Sequence, residues 1–429
     1  MDVFGLLPSP PLFFSHFFKL GALFHRNLLA QRRSPTAYDI SPHTGFFPPE
    51  PLPTLPLPFD IWEAALRDAN GNLSLGEDDS DEALEKRPFG SEWRSRIDAF
   101  PVLSTECLHS DLRLAQRAHL VLAWLVSFYV HSIPPSPESE HPVQVPRNLA
   151  VPLMQVSRYL GLAPILTFAD TVLWNWELIR PGRPLSPDNI RFVNTFSGTD
   201  DEKNFYHASA MAELRGVEIL RIIDDFNNLP SVNDLTSISK VSRDLTKLAG
   251  VIADIEEIIT SVRSTCDPHV FYWDIPMRKG PDGPGWVYEG VENQEDLDLS
   301  GPSAGQSSIH ARLQQRRYPA PSPGNKRADH GFMDRMRRYM PGKHRDYLNL
   351  LSVSRSIREV AQSTPALRDP RLRDNHMRIA CLYVVTISRG GCPVAAMLER
   401  LHANRGGNEL SLLLKAGRDA TRRAMLKSR

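Results

Sequence analysis

One apolar stripe, over residues 235–262, constrains the fold of this chain more than any other feature. Its spacing of three and four residues keeps the stripe on one face of an α-helix, so it predicts one long helix with a buried side. Residues 205–226 repeat the pattern. The members of the two stripes are Leu235, Ile238, Val241, Leu245, Leu248, Ile252, Ile255, Ile259 and Val262, and Phe205, Ala208, Ala212, Ile219, Ile223 and Phe226.

Other segments also predict helices. Residues 112–132 are apolar nearly all round, which is typical of a fully buried helix. Two further helices are predicted over 344–362 and 372–387, and no alternating run predicts a sizeable sheet. The expected fold class is therefore mainly α, a bundle of long helices in which cofactor sites lie between facing helices.

The chain divides into four parts. Residues 1–40 form a variable, poorly ordered extension, with a membrane-touching anchor as the alternative. Residues 41–132 form a small N-terminal domain that opens on a proline-rich extended arm, 41–58. Residues 133–144 are a linker, and 145–429 form the large helical domain.

Charge and cysteine usage exclude some functions. The 50 basic and 50 acidic side chains cancel, so no global charge favours nucleic acid as a partner. The four cysteines, at 107, 266, 381 and 392, form no C-x-x-C pair. They are expected to be unpaired thiols in a reducing compartment, the cytoplasm. No apolar run reaches the ~18 residues of a membrane span, so no membrane partner is expected.

Two segments are candidates for a cofactor site. RLRDNHMRIACLYVV places His376 on a helix with Ile379, Ala380 and Tyr383 on the same face. An imidazole in such a setting can ligate haem iron, although a hydrogen-bonded core histidine is the alternative. The small residues of GPSAGQSS, 301–308, would let a planar group approach the backbone, unless they form a flexible linker.

Several strings together resemble the indoleamine 2,3-dioxygenase family. They are HTGFFP (43–48), VPRNLAVPLMQVSRYLGLAPILTFADTVLWNW (145–176), SAGQSS (303–308), MRRYMPGKHRDYL (336–348) and RDNHMRI (373–379). They follow the order of the family across most of the chain, and MRRYMPGKHRDYL is the most specific of them.

The resemblance implies a fold and a reaction. The fold is a large all-helical domain that holds haem b, with a smaller N-terminal α(+β) domain. The reaction inserts molecular oxygen across the indole C2–C3 bond of L-tryptophan, or of a related indole, and gives N-formylkynurenine. An electron donor that keeps the iron ferrous is then needed, and a monomer is expected.

The alternatives are a haem-binding relative with low tryptophan turnover, which acts on another indole or as a sensor, and a helical interaction protein without haem. A Soret absorbance band would exclude the protein without haem. A tryptophan turnover assay would separate the dioxygenase from the haem-binding relative.

The resemblance also implies cofactor-binding residues. His376 matches the proximal iron ligand, and Arg373 matches an arginine that pairs with a haem propionate. Ser303, Ala304 and Gly305 would line the distal side of the haem through the backbone and small side chains.

On the substrate side, Phe205 and Ser209 match a distal aromatic residue and a serine spaced four apart, hence on one helix face. Ser209 is the candidate catalytic group. Phe168, Thr171 and Val172 match the indole pocket. Phe271 matches an aromatic of the substrate site, and Arg405 a closing loop, with a plain surface arginine as the alternative.

The chain departs from the family at two places. In FYWDIPMR, Pro276 occupies the position of the arginine that grips the substrate carboxylate, and Arg278 could substitute. A charge-assisted contact of this kind is directional, so its loss should weaken substrate binding. Residues 309–330 are basic and interrupted by proline where the family has an apolar helix.

Overall fold

The computed structural model describes residues 34–76, 80–134, 142–232, 234–267, 286–292, 337, 339–354 and 360. The described part is mainly helical, as predicted. Its α-helices are α1 (Asp60–Ala69), α2 (Asp81–Asp98), α3 (Leu112–His131), α4 (Arg147–Leu160), α5 (Asp200–Asn227), α6 (Leu235–Thr265) and α7 (Gly342–Ser352). Short 3₁₀ turns lie at Pro35–Tyr38, Glu106–Ser110 and Pro187–Asn189.

The described strands form only small sheets. Strand β1 (Val143–Val145) pairs in parallel with β4 (Trp286–Tyr288), with Val143 opposite Trp286. Strand β2 (Trp176–Glu177) pairs antiparallel with β3 (Arg191–Phe192). Within the described residues this agrees with the expectation that the chain carries no sizeable sheet.

Helix α3 lies at the centre of the core, as its all-round apolar sequence predicts. Asp111 caps it, since its side chain accepts hydrogen bonds from the backbone N–H groups of Arg113 and Leu114. Nearly every side chain from Ala115 to His131 is buried. The core around it extends from Phe47 to Tyr339, and so includes side chains from both sides of the predicted linker. The predicted domain boundaries stay a prediction.

Helices α5 and α6 form an antiparallel hairpin. Two hydrogen bonds connect the helices: Asn204 Nδ2 donates to the Thr265 carbonyl (2.9 Å), and Lys240 Nζ donates to Asp225 (2.7 Å). Both helices were predicted, but α5 begins five residues earlier than its apolar stripe. The reason is a cap: the Thr199 side chain accepts from the Glu202 N–H, and three acidic residues follow at the positive helix end.

The proline-rich arm, 41–58, lies against the globular surface. Phe47, Leu52 and Leu55 are buried in the main core. The backbone N–H of Leu55 donates to Glu63 Oε1 at 3.1 Å, and Arg117 of α3 pairs with the same carboxylate at 2.6 Å. These contacts fix the extended arm, which makes few backbone hydrogen bonds of its own, to helices α1 and α3.

Helix α7 contains most of the segment MRRYMPGKHRDYL. It packs against the start of the described chain. His344 Nε2 donates to the Asp39 carbonyl at 3.2 Å, and burial lowers the pKa of His344 to about 4, so this ring is neutral. At Gly342, an added Cβ would lie 2.9 Å from the backbone oxygen of Leu160. The helix start therefore needs glycine for this close approach.

The predicted extent of this helix was wrong at its C-terminal end. The sequence predicts a helix over 344–362, whereas α7 ends at Ser352 and the Ser354 N–H bonds the Leu351 carbonyl in a turn. The helix predicted over 372–387 lies outside the described residues. Among the helices that are described, none is long and apolar enough to cross a membrane.

Candidate functional site

A π-helical turn, Ala169–Leu173, carries the residues predicted to line the indole pocket. The Trp174 N–H donates to the Ala169 carbonyl, five residues earlier, at 2.9 Å. Phe168 stands before the turn and is 40% exposed, whereas Thr171 and Val172 are 2% and 1% exposed. The segment thus exposes one aromatic side chain, Phe168, next to the buried side chains of Thr171 and Val172. Single π-turns are frequent at functional sites.

A buried polar network connects this turn to helix α3. Asp170 Oδ1 lies 2.7 Å from Nδ1 of His119 on α3, and both side chains are fully buried. Asp170 Oδ2 accepts from the backbone N–H (2.9 Å) and the hydroxyl (2.7 Å) of Thr167. Trp124 Nε1 donates to the Asp170 carbonyl at 2.9 Å. The turn is therefore anchored to two residues of α3.

The second half of the candidate site lies on α5, which packs against the π-turn. Phe205 and Ser209 lie four residues apart on one face, and the Ser209 hydroxyl donates to the Phe205 carbonyl at 2.9 Å. That bond commits the hydroxyl hydrogen to the helix backbone. In this arrangement the oxygen of Ser209 can still accept a hydrogen bond.

Glu213 follows Ser209 by one helical turn and was not singled out from the sequence. Burial raises the pKa of its carboxyl to about 7, because the charged form loses its hydration. A carboxyl group with a raised pKa thus lies one helical turn beyond the predicted site residue Ser209. Sequence alone gave no signal for it, since a glutamate on a long helix is usually a solvated one.

The structure places five predicted site residues, and all five lie on two elements that touch. Phe168, Thr171 and Val172 lie on or beside the π-turn, and Phe205 and Ser209 lie on α5. The other predicted site residues fall outside the described residues; they are His376, Arg373, Ser303, Ala304, Gly305, Phe271, Arg278 and Arg405. Among the described residues, no cluster of three histidine, cysteine or acidic side chains could hold a metal ion.

Comparison with known proteins identifies the class of protein. The chain matches the family profile described as "Indoleamine 2,3-dioxygenase" over residues 34–424. It is 29% identical to indoleamine 2,3-dioxygenase 1 of Rattus norvegicus over 416 residues, 92% of this chain and 96% of the relative. It is 30% identical to an indoleamine 2,3-dioxygenase of Aspergillus candidus over 421 residues, 90% and 95% of the two chains.

A third relative has a different substrate in its name. This 6-hydroxytryptophan 2,3-dioxygenase of Fusarium equiseti is 26% identical over 375 residues, 82% of this chain and 85% of the relative. The shared class is an oxidoreductase that adds molecular oxygen to an indole. The chain belongs to the indoleamine 2,3-dioxygenase family, as its sequence motifs predicted.

Proposed function

We propose that the protein is a haem-dependent dioxygenase that opens the indole ring of L-tryptophan to N-formylkynurenine. The observation that carries this proposal is the family match over residues 34–424. The contact between the π-turn and α5 supports it, because these two elements carry or flank the five described residues that the family resemblance assigns to the substrate and distal haem pocket.

The described residues fit haem and an indole chemically. Phe168, Val172 and Phe205 are apolar, and neither Thr171 nor Ser209 carries charge. A half-exposed phenylalanine beside a buried turn is suited to contact a flat apolar group. When bound, haem b supplies the iron that activates molecular oxygen. His376 would hold that iron, and Arg373 would pair with a propionate.

The protein's own residues then have mostly positioning roles. Phe168 and Val172 would exclude water and orient the indole ring, and Phe205 would cover its other side. Ser209 can accept one hydrogen bond from the substrate, since its own proton is bound to the Phe205 carbonyl. No general base is required of these side chains, because the oxygen chemistry belongs to the cofactor.

The proposal is tested by two measurements on the purified full chain. A Soret band after haem loading would support haem binding. Formation of N-formylkynurenine from L-tryptophan, under reducing conditions and followed by its absorbance, would support the reaction. A Soret band without product from L-tryptophan would overturn the substrate assignment, and the absence of a Soret band would overturn the whole proposal.

A second candidate substrate is a ring-substituted tryptophan. One relative, 26% identical over 82% of this chain, is named for 6-hydroxytryptophan, which differs from L-tryptophan only on the indole ring. Assay of both compounds under the same conditions, with the ratio of their kcat/KM values as the readout, would decide between them.

Replacement of Ser209 by alanine should leave substantial activity, at least about a tenth of the native kcat. The hydroxyl already donates to the Phe205 carbonyl at 2.9 Å, so it is not free to deliver a proton to the substrate. Steady-state turnover of Ser209→Ala, with the Soret band as a check on haem content, measures this. Complete loss of turnover with haem retained would show that the serine is an essential proton carrier.

Binding of L-tryptophan should be weak, because Pro276 cannot pair with the substrate carboxylate. A hydrogen bond to a charged group contributes ~1.5–3 kcal/mol, so one missing contact should raise KM roughly ten- to a hundredfold with a smaller effect on kcat. Kinetics of Pro276→Arg should therefore show a lower KM, and those of Arg278→Ala a higher one. Tight native binding together with no effect of Arg278→Ala would contradict this expectation.

A further inference from the structure

His119 and Asp170 form a buried pair that connects α3 to two points of the pocket segment. Nδ1 of His119 lies 2.7 Å from Asp170 Oδ1, and Nε2 lies 3.1 Å from the Ala163 carbonyl oxygen. A carbonyl oxygen can only accept, so Nε2 carries a hydrogen. The contact between Nδ1 and Oδ1 is then a second hydrogen bond of the same ring.

The remaining polar atoms of Asp170 hold the backbone on the other side. Oδ2 takes two hydrogen bonds from Thr167, and the backbone carbonyl takes one from Trp124. Thr167 and Asp170 flank Phe168 in the sequence, so the backbone that carries this phenylalanine is fixed at both ends. The phenyl ring itself is 40% exposed, and packing alone does not determine its position.

We propose that the His119–Asp170 pair is a positioning device that sets the shape of the substrate pocket and thereby its selectivity among indoles. This inference rests on the proposed function. Neither residue touches the substrate; each acts through the backbone of Phe168, Thr171 and Val172. Displacement of a pocket wall by about 1 Å is enough to change how well a substrate reaches its reactive position.

Substitutions in a pair that only stabilises the fold would have different effects from those in a pair that positions the pocket. Breaking any buried charge pair costs stability, because one partner is left desolvated and unpaired. That loss lowers the melting temperature without changing which substrate is preferred. The ratio of kcat/KM for L-tryptophan over a ring-hydroxylated tryptophan therefore separates a positioning role from a structural one.

The main test is His119→Gln in the haem-loaded full chain. A glutamine amide can donate to Asp170 or to Ala163 but cannot span both acceptors as the imidazole ring does. We expect the ratio of kcat/KM values to change by about tenfold or more, mostly through KM, while the Soret band is unchanged. Should this variant fail to fold, Thr167→Val removes only one hydroxyl bond to Asp170 and should change the ratio about threefold.

The conservative variant Asp170→Asn separates geometry from charge. Its amide oxygen can accept both bonds from Thr167, and its NH₂ group can donate to Nδ1 of a neutral His119. Nε2 then still donates to Ala163, so the network stays complete without the carboxylate. We expect the ratio to stay within about threefold of the native value. Equal changes in Asp170→Asn and His119→Gln would overturn the geometric role.

Glu63→Gln is the matched control. Glu63 accepts a hydrogen bond from the Leu55 N–H of the proline-rich arm and pairs at 2.6 Å with Arg117, which lies two residues before His119 on α3. Its loss should lower the melting temperature but leave the ratio unchanged. A His119→Gln variant that loses only stability, as this control does, would overturn the inference while the proposed function stands. A native protein without a Soret band or turnover would overturn both.

Discussion

His376→Ala is expected to abolish the Soret band of the haem-loaded protein, or to convert it to the spectrum of haem without an imidazole ligand. The sequence predicts that His376 lies on an apolar helix face within RDNHMRI, the segment that resembles the one bearing the proximal ligand of the family. Loss of the iron–nitrogen bond removes the main attachment of haem to the protein. Absorbance spectra and haem content per chain, measured after gel filtration, report the result.

Two controls make this test specific. In His376→Gly, added imidazole should restore the band, because the free ring can fill the space and ligate the iron. His109→Ala should leave the band unchanged, since the His109 ring stacks on that of Tyr159, with centroids 4.2 Å apart, and the family resemblance assigns it no role at the haem. An unaltered Soret band with full turnover in His376→Ala would end the assignment of this residue.

Trp124→Ala is expected to lower the free energy of unfolding by about 3–5 kcal/mol, the usual effect of deleting a large aromatic side chain from a core. Trp124 is fully buried on α3, and its ring lies 5.3 Å from that of Phe128 and 4.6 Å from that of Phe196. Its Nε1 also donates to the Asp170 carbonyl. Urea titration of the variant and the native protein measures the difference.

Trp124→Phe divides this loss into packing and hydrogen bonding. The phenyl ring keeps much of the buried area but leaves the Asp170 carbonyl without its donor, which should cost about 1–3 kcal/mol. A loss under about 1 kcal/mol in Trp124→Ala would show that α3 tolerates the cavity, and the anchoring role given to this tryptophan would then be wrong.

The long helices were predictable because their signal is local. The stripes that begin at Phe205 and Leu235 repeat within each turn, and helices α5 and α6 form over them. Within the described structure the stripe side chains are buried or half-buried, except Leu235, which is 86% exposed. The ends of the helices were less predictable. Thr199 extends α5 beyond its apolar stripe, and α7 stops at Ser352 although apolar residues follow it. Caps and turns depend on single side chains, and the periodic pattern of apolar residues carries no information about them.

The buried contact between His119 and Asp170, which holds the pocket segment, could not be predicted from the sequence. His119 lies on a helix that is apolar over most of its length, and its neighbours in the sequence give no indication of its partner. Asp170 is 51 residues further along the chain, and only the fold brings the two together. The pocket residues Phe168, Thr171 and Val172 were found through family resemblance, not through any local pattern. The π-turn that carries them has no sequence rule of comparable strength.

The bond between His344 and Asp39 joins residues 305 positions apart, and it has a consequence for synthesis of the chain on the ribosome. At ~5–20 residues per second, the segment around Asp39 leaves the ribosome about 15–60 s before α7 does. During that interval the apolar surface of the early segments stays uncovered. It includes Tyr38, whose ring centroid lies 5.8 Å from that of Tyr347 in the folded protein. The order of translation thus delays this contact until α7 has left the ribosome.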